Sequence, residues 1–245
     1  MDSITSTMRE LRMSGMASAW DAMRETRQCD SLTLTDGLQL LLQAETDARR
    51  ENRNARLHKL AKFRYNCLIG EIDFDPLRGI DKNTVMRMAT GDYIRQGLPV
   101  IITGAAGTGK SFLATALGQQ ACLMGMHVRY FGLQKLFEEI MVHRVAGSLP
   151  RFFDKLSATE LLIIDDFGMR CLDAQQMLDF MEILEDRHGR CATIFVSQVP
   201  VANWMDLMAT NTTAAEAILD RVVHTAIRFE LKGNSRRKKE LTLHH

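Results

Sequence analysis

The hydrophobic pattern from about residue 98 onward alternates between short apolar runs and longer segments with apolar residues at helical spacing. The apolar runs predict five strands, at 98–103, 127–131, 161–165, 192–196 and 226–231. Helices are predicted between them: directly after the first strand, at 133–145, at 175–187 and within 201–224. Such alternation, with nearly continuous apolar strands, is typical of a parallel sheet covered by helices on both faces. The pattern therefore predicts an α/β core for this part of the chain.

The first part of the chain has a purely helical pattern. Residues 2–28 carry apolar side chains at helical spacing, and Ser14 and Gly15 interrupt it, which predicts two short helices. A longer helix is predicted from about Asp36, with Thr35 as its N-terminal cap. This part is therefore expected to be a small helical domain.

The stretch between the two parts has the composition of a linker. It contains Asp73-Phe74-Asp75-Pro76 and Gly79, and Phe74 is predicted to anchor it on the next domain. A helix near 82–95 is predicted to follow. The expected organisation is a helical domain at 1–66, a linker at 67–80 and an α/β domain at 81–245.

A phosphate-binding motif follows the first strand. The residues Gly104-Ala105-Ala106-Gly107-Thr108-Gly109-Lys110-Ser111 match G-x-x-x-x-G-K-[ST] at every required position. Such a loop turns its backbone N–H groups toward a phosphate, and the helix that follows adds its positive dipole end. Lys110 is predicted to contact the β- and γ-phosphates of ATP and Ser111 to hold Mg²⁺. Residues 104–111 and Phe112 form the predicted nucleotide-binding set.

Two carboxylates end the third predicted strand. Asp165 and Asp166 follow Leu161-Leu162-Ile163-Ile164, and the carboxyl end of a parallel strand faces the ligand crevice of an α/β sheet. Asp165 is predicted to hold Mg²⁺, and Asp166 to act as the general base for an attacking water. A second acid beside the magnesium acid favours ATP hydrolysis over transfer to a small acceptor.

Further polar residues follow the later elements. Ser197 and Gln198 end the fourth strand, where one of them is predicted to contact the γ-phosphate or the lytic water. Arg221 lies in a helix before the last strand, where it is either a trans-acting arginine finger or the partner of a surface acid. The basic tail 232–239 is either solvated or in contact with DNA, and Arg236 or Arg237 could reach the nucleotide.

A dense basic stretch lies at the end of the long predicted helix. It consists of Arg49, Arg50, Arg53, Arg56, Lys59, Lys62 and Arg64, with Phe63 and Tyr65 at its end. Cations beside aromatic residues suit contact with a DNA backbone and stacking on bases. The same run is also compatible with a solvated helix face supported by pairs such as Glu45 with Arg49.

Composition and charge limit the kinds of partner and the cellular compartment that are expected for this protein. The net charge of +1 excludes a global field that attracts nucleic acid, so DNA contact would depend on local clusters. The five cysteines are scattered and form no C-x-x-C pair, which favours a reduced cytoplasmic protein without a zinc site. No apolar run reaches the length of a membrane span, and Met1-Asp2-Ser3 lacks the basic start of a signal peptide. No membrane partner is expected.

Taken together, these motifs resemble AAA+ ATPases, in particular the branch of bacterial helicase loaders and the IstB-like helper ATPases of insertion-sequence transposition. The resemblance extends nearly end to end. Besides the phosphate loop it includes Leu11-Arg12-Met13-Ser14-Gly15-Met16, Leu41-Leu42-Gln43-Ala44-Glu45, Ala61-Lys62-Phe63, Asp73-Phe74-Asp75, Leu162-Ile163-Ile164-Asp165-Asp166-Phe167-Gly168 and Gly233-Asn234-Ser235-Arg236-Arg237-Lys238.

The resemblance implies an AAA+ P-loop core with a five-stranded parallel sheet in the order 5-1-4-3-2 and a helical N-terminal DNA-binding domain. It also implies a homo-oligomer that forms on duplex DNA with ATP and stimulates the transposase of the same insertion element. The resemblance also assigns roles to single residues: Gln198 corresponds to the first sensor residue, Arg221 to the trans-acting arginine finger and Arg236 to a candidate second sensor. The chain departs from the AAA+ pattern in two respects. Asp166 stands where glutamate is usual, and residues 232–245 are too few for a full helical lid.

Three other functions remain open at this point. A helicase loader has the same core, but its N-terminal domain docks on a replicative helicase. A small-molecule kinase shares the phosphate loop, although Asp165-Asp166 suits water activation. A DNA-binding module that senses ATP without hydrolysing it would bind ATP tightly and show no turnover.

Overall fold

The computed structural model describes residues 3–233 and Ser235. Contacts between Cα atoms divide the chain into two compact units, Met1–Arg56 and Leu57–His245. The predicted domain boundaries at 66 and 80 lie beyond this division and stay predictions. No helix among the described residues has both the length and the apolar character that a membrane span requires.

The first unit is helical. It contains helices α1 (Ser3–Glu10) and α2 (Ser14–Glu25), a 3-10 turn (Gln28–Asp30) and most of α3 (Leu34–Ala61). Met16, Met23 and Leu41 form its buried centre. The two short helices are therefore as predicted, but the break between them lies at residues 11–13, and Ser14 and Gly15, which were expected to interrupt the pattern, are the first residues of α2.

The start of α3 differs from the prediction. The helix begins at Leu34 rather than Asp36, and Thr33 caps it instead of Thr35. The Thr33 hydroxyl accepts a hydrogen bond from the Asp36 N–H at 3.2 Å and donates to the Asp36 carboxylate at 2.6 Å. This reciprocal pairing requires a spacing of three residues, which Thr33 has and Thr35 lacks.

Helix α2 approaches α3 closely at Gly15. A Cβ atom at this position would lie 2.6 Å from the Ala44 carbonyl oxygen and 2.7 Å from the Ala48 Cβ. Nearby, Glu45 accepts a hydrogen bond from the Met16 N–H at 3.1 Å, so its carboxylate satisfies an N–H group in the first turn of α2. The hydrogen bond from the Arg49 guanidinium first, and then those from the Met16 and Gly15 N–H groups, hold the pKa of Glu45 below its ordinary value.

We expect Gly15→Ala to destabilise the first unit by about 1–3 kcal/mol, because the added methyl group would overlap the α3 backbone. Thermal unfolding followed by circular dichroism would measure the loss. Gly37→Ala is the matched control, since a Cβ there would meet only the Met23 methyl group at 3.9 Å. Equal stability of both variants would show that the close approach at Gly15 is not required.

The second unit is built on a parallel sheet. Its strands are β1 (Val100–Gly104), β2 (Val128–Gly132), β3 (Leu161–Phe167), β4 (Ala192–Ser197) and β5 (Ile227–Leu231). Their order is β2-β3-β4-β1-β5 and all pairs are parallel, which confirms the predicted order 5-1-4-3-2. Strands β3 and β4 are almost entirely buried, and β1 is buried at 100–102, as their apolar sequences require.

Helices cover both faces of this sheet. They are α4 (Lys82–Met88), α5 (Asp92–Arg95), α6 (Lys110–Leu123), α7 (Leu133–Val145), α8 (Leu149–Ser157), α9 (Ala174–Arg187), α10 (Trp204–Leu207) and α11 (Thr212–Val223). Leu113 and Leu117 of α6 belong to one apolar layer, whereas Phe180 and Trp204 belong to the other. Because all strand pairs are parallel, the carboxyl ends of the strands meet along one edge of the sheet.

Two helical predictions for the second unit are corrected. The single helix expected at 82–95 is two helices, because Gly91 adopts a left-handed φ of 79°. Its lack of a side chain also leaves room for the Met124 methyl group. Helix α8 was not predicted, although it buries Phe152, Phe153 and Leu156.

The predicted linker follows the surface of the second unit. It contains two 3-10 turns, Ile69–Glu71 and Pro76–Arg78. Phe74 packs half-buried against the core, and Ile72 and Ile80 are buried. The linker thus stays close to the carboxyl edge of the sheet.

Candidate functional site

The phosphate loop joins β1 to α6. Gly107 and Gly109 adopt left-handed φ values of 79° and 93°, which let the loop turn tightly into the helix. Gly109 caps α6 without a side chain, so the N–H groups of the first helical turn face the loop. The Lys110 side chain is 6% exposed, and its Nζ donates to the Ala105 carbonyl oxygen at 2.8 Å. The ammonium group of Lys110 therefore lies against the loop, next to the N-terminus of a helix, and both features suit phosphate binding.

The acid pair lies at the end of β3. Asp165 is buried and accepts hydrogen bonds from the Tyr130 hydroxyl and, at 2.8 Å, from the Asp166 N–H. Burial, and then the charge of Asp165, raises the pKa of Tyr130, so its hydroxyl stays protonated and donates. Asp166 has a left-handed φ of 58° and lies where the register between β3 and β4 shifts, between Ile164 and Phe167. The two acids thus have different surroundings, one buried and one half exposed.

A cleft of about 300 Å³ brings the predicted nucleotide residues together. Lys110, Ser111 and Phe112 line it from the loop and α6, and Asp165 and Asp166 line it from β3. Gln198 lines it from the end of β4. Three neighbouring strand ends therefore deliver the predicted groups to one place.

Gln198 and Ser197 differ in their surroundings. The buried Ser197 hydroxyl donates to the Phe167 carbonyl oxygen at 2.7 Å and accepts from the Val199 N–H at 3.0 Å. Gln198 is exposed, and its Nε2 lies 3.5 Å from the Met169 sulfur. The internal bonds of Ser197 favour Gln198 as the residue that contacts a ligand.

The linker contributes residues to the cleft that the sequence did not indicate. Ile72 and Ile80 form an apolar part of its wall. Arg78 also lines it; its Nη2 donates to the Thr108 carbonyl oxygen at 2.5 Å, and its Nη1 donates to the Asp73 carbonyl oxygen at 3.3 Å. Asp73-Phe74-Asp75 is part of the family resemblance. This match was the one sequence signal that the segment has a role beyond linking the two parts of the chain.

Arg64 is the second unexpected residue at the cleft. It was predicted to contact DNA, yet its Nη1 lies 3.4 Å from the Asp166 Oδ2. Electrostatic interaction with Tyr65, and then with Asp166, raises the pKa of Arg64. The guanidinium of an arginine is charged at neutral pH. The neighbouring residue Tyr65 lines the same cleft. The end of the basic stretch therefore contributes to the nucleotide cleft.

The other predicted DNA-binding cations divide between the units. Arg49 and Arg50 form ion pairs with Glu45 and Asp47, at 2.7 and 3.2 Å. Lys62 Nζ lies 3.4 Å from Glu139 Oε1. The exposed residues Arg53, Arg56 and Lys59 form no ion pair with another described residue. Arg49, Arg50, Arg53 and Arg56 belong to the first unit, whereas Lys59, Lys62 and Arg64 belong to the second.

Among the described residues, four of the predicted nucleotide residues do not line the cleft: Gly104, Ala105, Thr108 and Arg221. Arg221 on α11 pairs with Glu185, and its Nη2 lies 2.6 Å from a carboxylate oxygen of that residue. Within one chain, Arg221 is therefore the partner of a surface acid, which is one of the two roles that the sequence allowed. Arg236 lies outside the described residues. Ser235 is described, and it lies against Gly107 so closely that a Cβ at Gly107 would overlap its side chain.

The donor atoms at the cleft fit Mg²⁺. The described part of the chain contains no group of three or more His, Cys, Asp or Glu side chains that could hold a metal. Ser111 and Asp165 nevertheless provide a hydroxyl and a carboxylate oxygen, and Mg²⁺ is commonly held by one or two protein oxygens together with substrate phosphates. The site thus suits a magnesium ion that arrives with a nucleotide.

Comparisons with known proteins identify the family of this sequence. The family model described as IstB-like ATP binding protein matches residues 6–243. A protein of Sinorhizobium fredii (strain NBRC 101917 / NGR234), named as insertion sequence ATP-binding protein y4pL, is 37% identical over 228 residues, 93% of each chain.

Solved structures show the same fold at low identity. AMPPCP-bound DnaA from Aquifex aeolicus is 18% identical with a TM-score of 0.60, covering 74% of this chain and 56% of that one. The DnaC helicase loader is 18% identical with a TM-score of 0.52, covering 61% and 87%. The core is therefore an AAA+ P-loop NTPase fold. Because the family model spans nearly the whole sequence, the chain belongs to the IstB-like ATP-binding protein family.

Proposed function

We propose that this protein is an ATPase that assembles on duplex DNA with ATP and there recruits and activates the transposase of its insertion element. The observation that carries the proposal is the convergence of Lys110, Ser111, Asp165, Asp166 and Gln198 on one cleft. These residues supply the cation, hydroxyl, two carboxylates and amide that ATP hydrolysis requires. The names of relatives, which refer to insertion sequences, support the transposition role.

In the proposed reaction, the nucleotide lies with its phosphates on the loop and its base toward Ile72 and Ile80. Lys110 and the N–H groups of the first turn of α6 bind the β- and γ-phosphates. Ser111 and Asp165 would hold Mg²⁺, which when bound offsets phosphate charge and orients the γ-phosphate.

Hydrolysis then depends on Asp166. A water oxygen forms a bond to the γ-phosphorus while the bond to the β–γ bridging oxygen breaks, and Asp166 accepts the proton of the water. Gln198 orients this water or the γ-phosphate from the end of β4. Arg221 of a second copy neutralises the developing charge, so that ATP joins neighbouring subunits and hydrolysis weakens the assembly.

The DNA contact is tested by replacing Arg49, Arg50, Arg53 and Arg56 together with alanine. Each phosphate contact adds about 0.9 to the slope of log affinity against log salt, so we expect the slope to fall by about 3 to 4. Fluorescence anisotropy with labelled duplex DNA at several salt concentrations measures it. Circular dichroism checks that the first unit stays folded, because Arg49 pairs with Glu45.

The matched control removes the same charge elsewhere, from the exposed residues Arg87, Arg95, Arg151 and Arg190. We expect this variant to keep the wild-type salt slope. Salt-independent binding by the wild type, or equal binding by both variants, would contradict the DNA assignment.

The nearest alternative is a helicase loader, because DnaC shares the fold. Affinity capture with the transposase of the same element and with a replicative helicase separates the two functions. Retention of the transposase alone supports transposition, whereas retention of the helicase alone overturns it.

A further inference from the structure

The ion pair between Arg64 and Asp166 links the basic stretch to the candidate general base. Arg64 Nη1 lies 3.4 Å from Asp166 Oδ2, and the side chains are 51% and 45% exposed. Ion pairs with this much solvent contact are weak and screened by salt. Another anion can therefore replace the carboxylate at the guanidinium at little cost.

The backbone on both sides of this pair is held in place. The Phe63 ring packs against Gly118, where a Cβ would lie 2.7 Å from the Phe63 Cε1. The Tyr65 carbonyl oxygen accepts a hydrogen bond from Gln119 Nε2 at 3.2 Å. On the other side, the Asp166 N–H donates to Asp165 at 2.8 Å. The pair can therefore open by rotation of the Arg64 and Asp166 side chains without movement of the main chain.

Arg64 also borders a second, larger cleft of about 1060 Å³ beside the nucleotide cleft. Lys62, which lines this second cleft, and Lys59 are exposed cations of the same unit. A phosphate backbone attracted by these lysines would bring a phosphate within reach of Arg64. Guanidinium binds phosphate with two parallel hydrogen bonds, which is a stronger interaction than a contact of 3.4 Å with the Asp166 carboxylate.

We propose that Arg64 is a positioning residue that couples DNA binding to hydrolysis. Without DNA, its guanidinium holds the Asp166 carboxylate and keeps it from the attacking water. When a DNA phosphate takes the guanidinium, Asp166 is released to accept the proton. This inference rests on the proposed function, because it requires Asp166 as the base and DNA at residues 59–64.

Arg64→Ala tests the coupling through the rate of ATP hydrolysis with and without duplex DNA. An exposed ion pair of this kind corresponds to about a two- to fivefold effect, so we expect kcat without DNA to rise by that factor. Stimulation by saturating DNA should fall to near one, with little change in the KM for ATP. Arg64→Lys retains a charge near Asp166 and should recover part of the wild-type response.

Two further variants serve as controls. Arg95→Ala removes an exposed arginine whose pair with Asp92 is remote from both clefts, and it should hydrolyse ATP like the wild type. Arg64→Ala combined with Asp166→Asn should be as inactive as Asp166→Asn alone, because Arg64 acts through Asp166. A double variant more active than Asp166→Asn would overturn the coupling.

The remaining outcomes separate this inference from the proposed function. An unchanged or lower kcat of Arg64→Ala with normal DNA stimulation overturns the inference and leaves the ATPase standing. A wild type that hydrolyses ATP without any response to DNA also overturns the inference. A wild type that does not hydrolyse ATP overturns the proposed function itself.

Discussion

Lys110→Ala is expected to weaken ATP binding by about 10- to 100-fold, because it removes charge-assisted hydrogen bonds to the β- and γ-phosphates. Lys110 begins α6, and its ammonium already lies within the loop, 2.8 Å from the Ala105 carbonyl oxygen. Assembly on duplex DNA should be lost at ATP concentrations that saturate the wild type. Titration with a fluorescent ATP analogue and sedimentation with duplex DNA measure the two effects.

Lys155→Ala is the control, since it removes an exposed lysine of α8 that does not line the nucleotide cleft. It should bind ATP and assemble like the wild type. If Lys110→Ala still multimerises on DNA and activates the transposase normally, the proposed role of ATP in assembly is wrong.

Mixing Lys110→Ala with Arg221→Ala extends this experiment to the subunit interface. Each variant alone should hydrolyse ATP poorly. In the mixture, sites with Lys110 from one copy and Arg221 from another are intact, so part of the activity should return. Arg221 pairs with Glu185 at 2.6 Å within one chain, where the two side chains are 25% and 58% exposed. This partly exposed pair would open on assembly. Full activity of Arg221→Ala alone would contradict the trans-acting role.

Asp166→Asn is expected to lower kcat by about 10²- to 10⁴-fold with nearly unchanged ATP affinity, because an amide cannot accept the proton of the attacking water. The change is structurally mild. Asp166 has a φ of 58°, and asparagine tolerates this left-handed conformation as well as aspartate does. Phosphate release under single-turnover conditions, together with nucleotide titration, separates the two quantities.

Asp186→Asn on the exposed face of α9 provides a matched carboxylate-to-amide control and should leave turnover unchanged. Unchanged turnover in Asp166→Asn would remove this residue from the mechanism. Loss of ATP binding together with turnover would instead indicate that Asp166 contributes to nucleotide binding.

Much of the α/β core was predictable because its signals are local. The buried strands are continuous apolar runs, and the motif at 104–111 fills every required position directly after one of them. Parallel strands bring their carboxyl ends to one edge, so Lys110, Asp165 and Gln198 were expected to meet. Their convergence on one cleft agrees with that reasoning. Their individual roles remain predictions.

The linker and the end of α3 were not predictable in the same way. Nothing in the spacing of Ile72, Arg78 and Ile80 indicates that they line the nucleotide cleft, because that depends on how the linker folds back on the core. Arg64 belongs to a charge run whose members look alike in sequence. The packing of Phe63 against Gly118 and the hydrogen bond from Gln119 to the Tyr65 carbonyl oxygen place the segment so that Arg64 reaches Asp166.

By itself, the sequence determined the parallel sheet, the phosphate loop, the acid pair and the family, since each depends on residues that are neighbours along the chain or on their periodicity. The tertiary structure decided where α3 begins, the break between α4 and α5, the contact of Gly15 with α3 and the position of Arg64. The contact of Gly15 and the position of Arg64 depend on residues that are far apart in the sequence. The start of α3 and the break after α4 depend on a choice between caps or backbone conformations of similar local energy. Packing and hydrogen bonds in the folded protein make that choice.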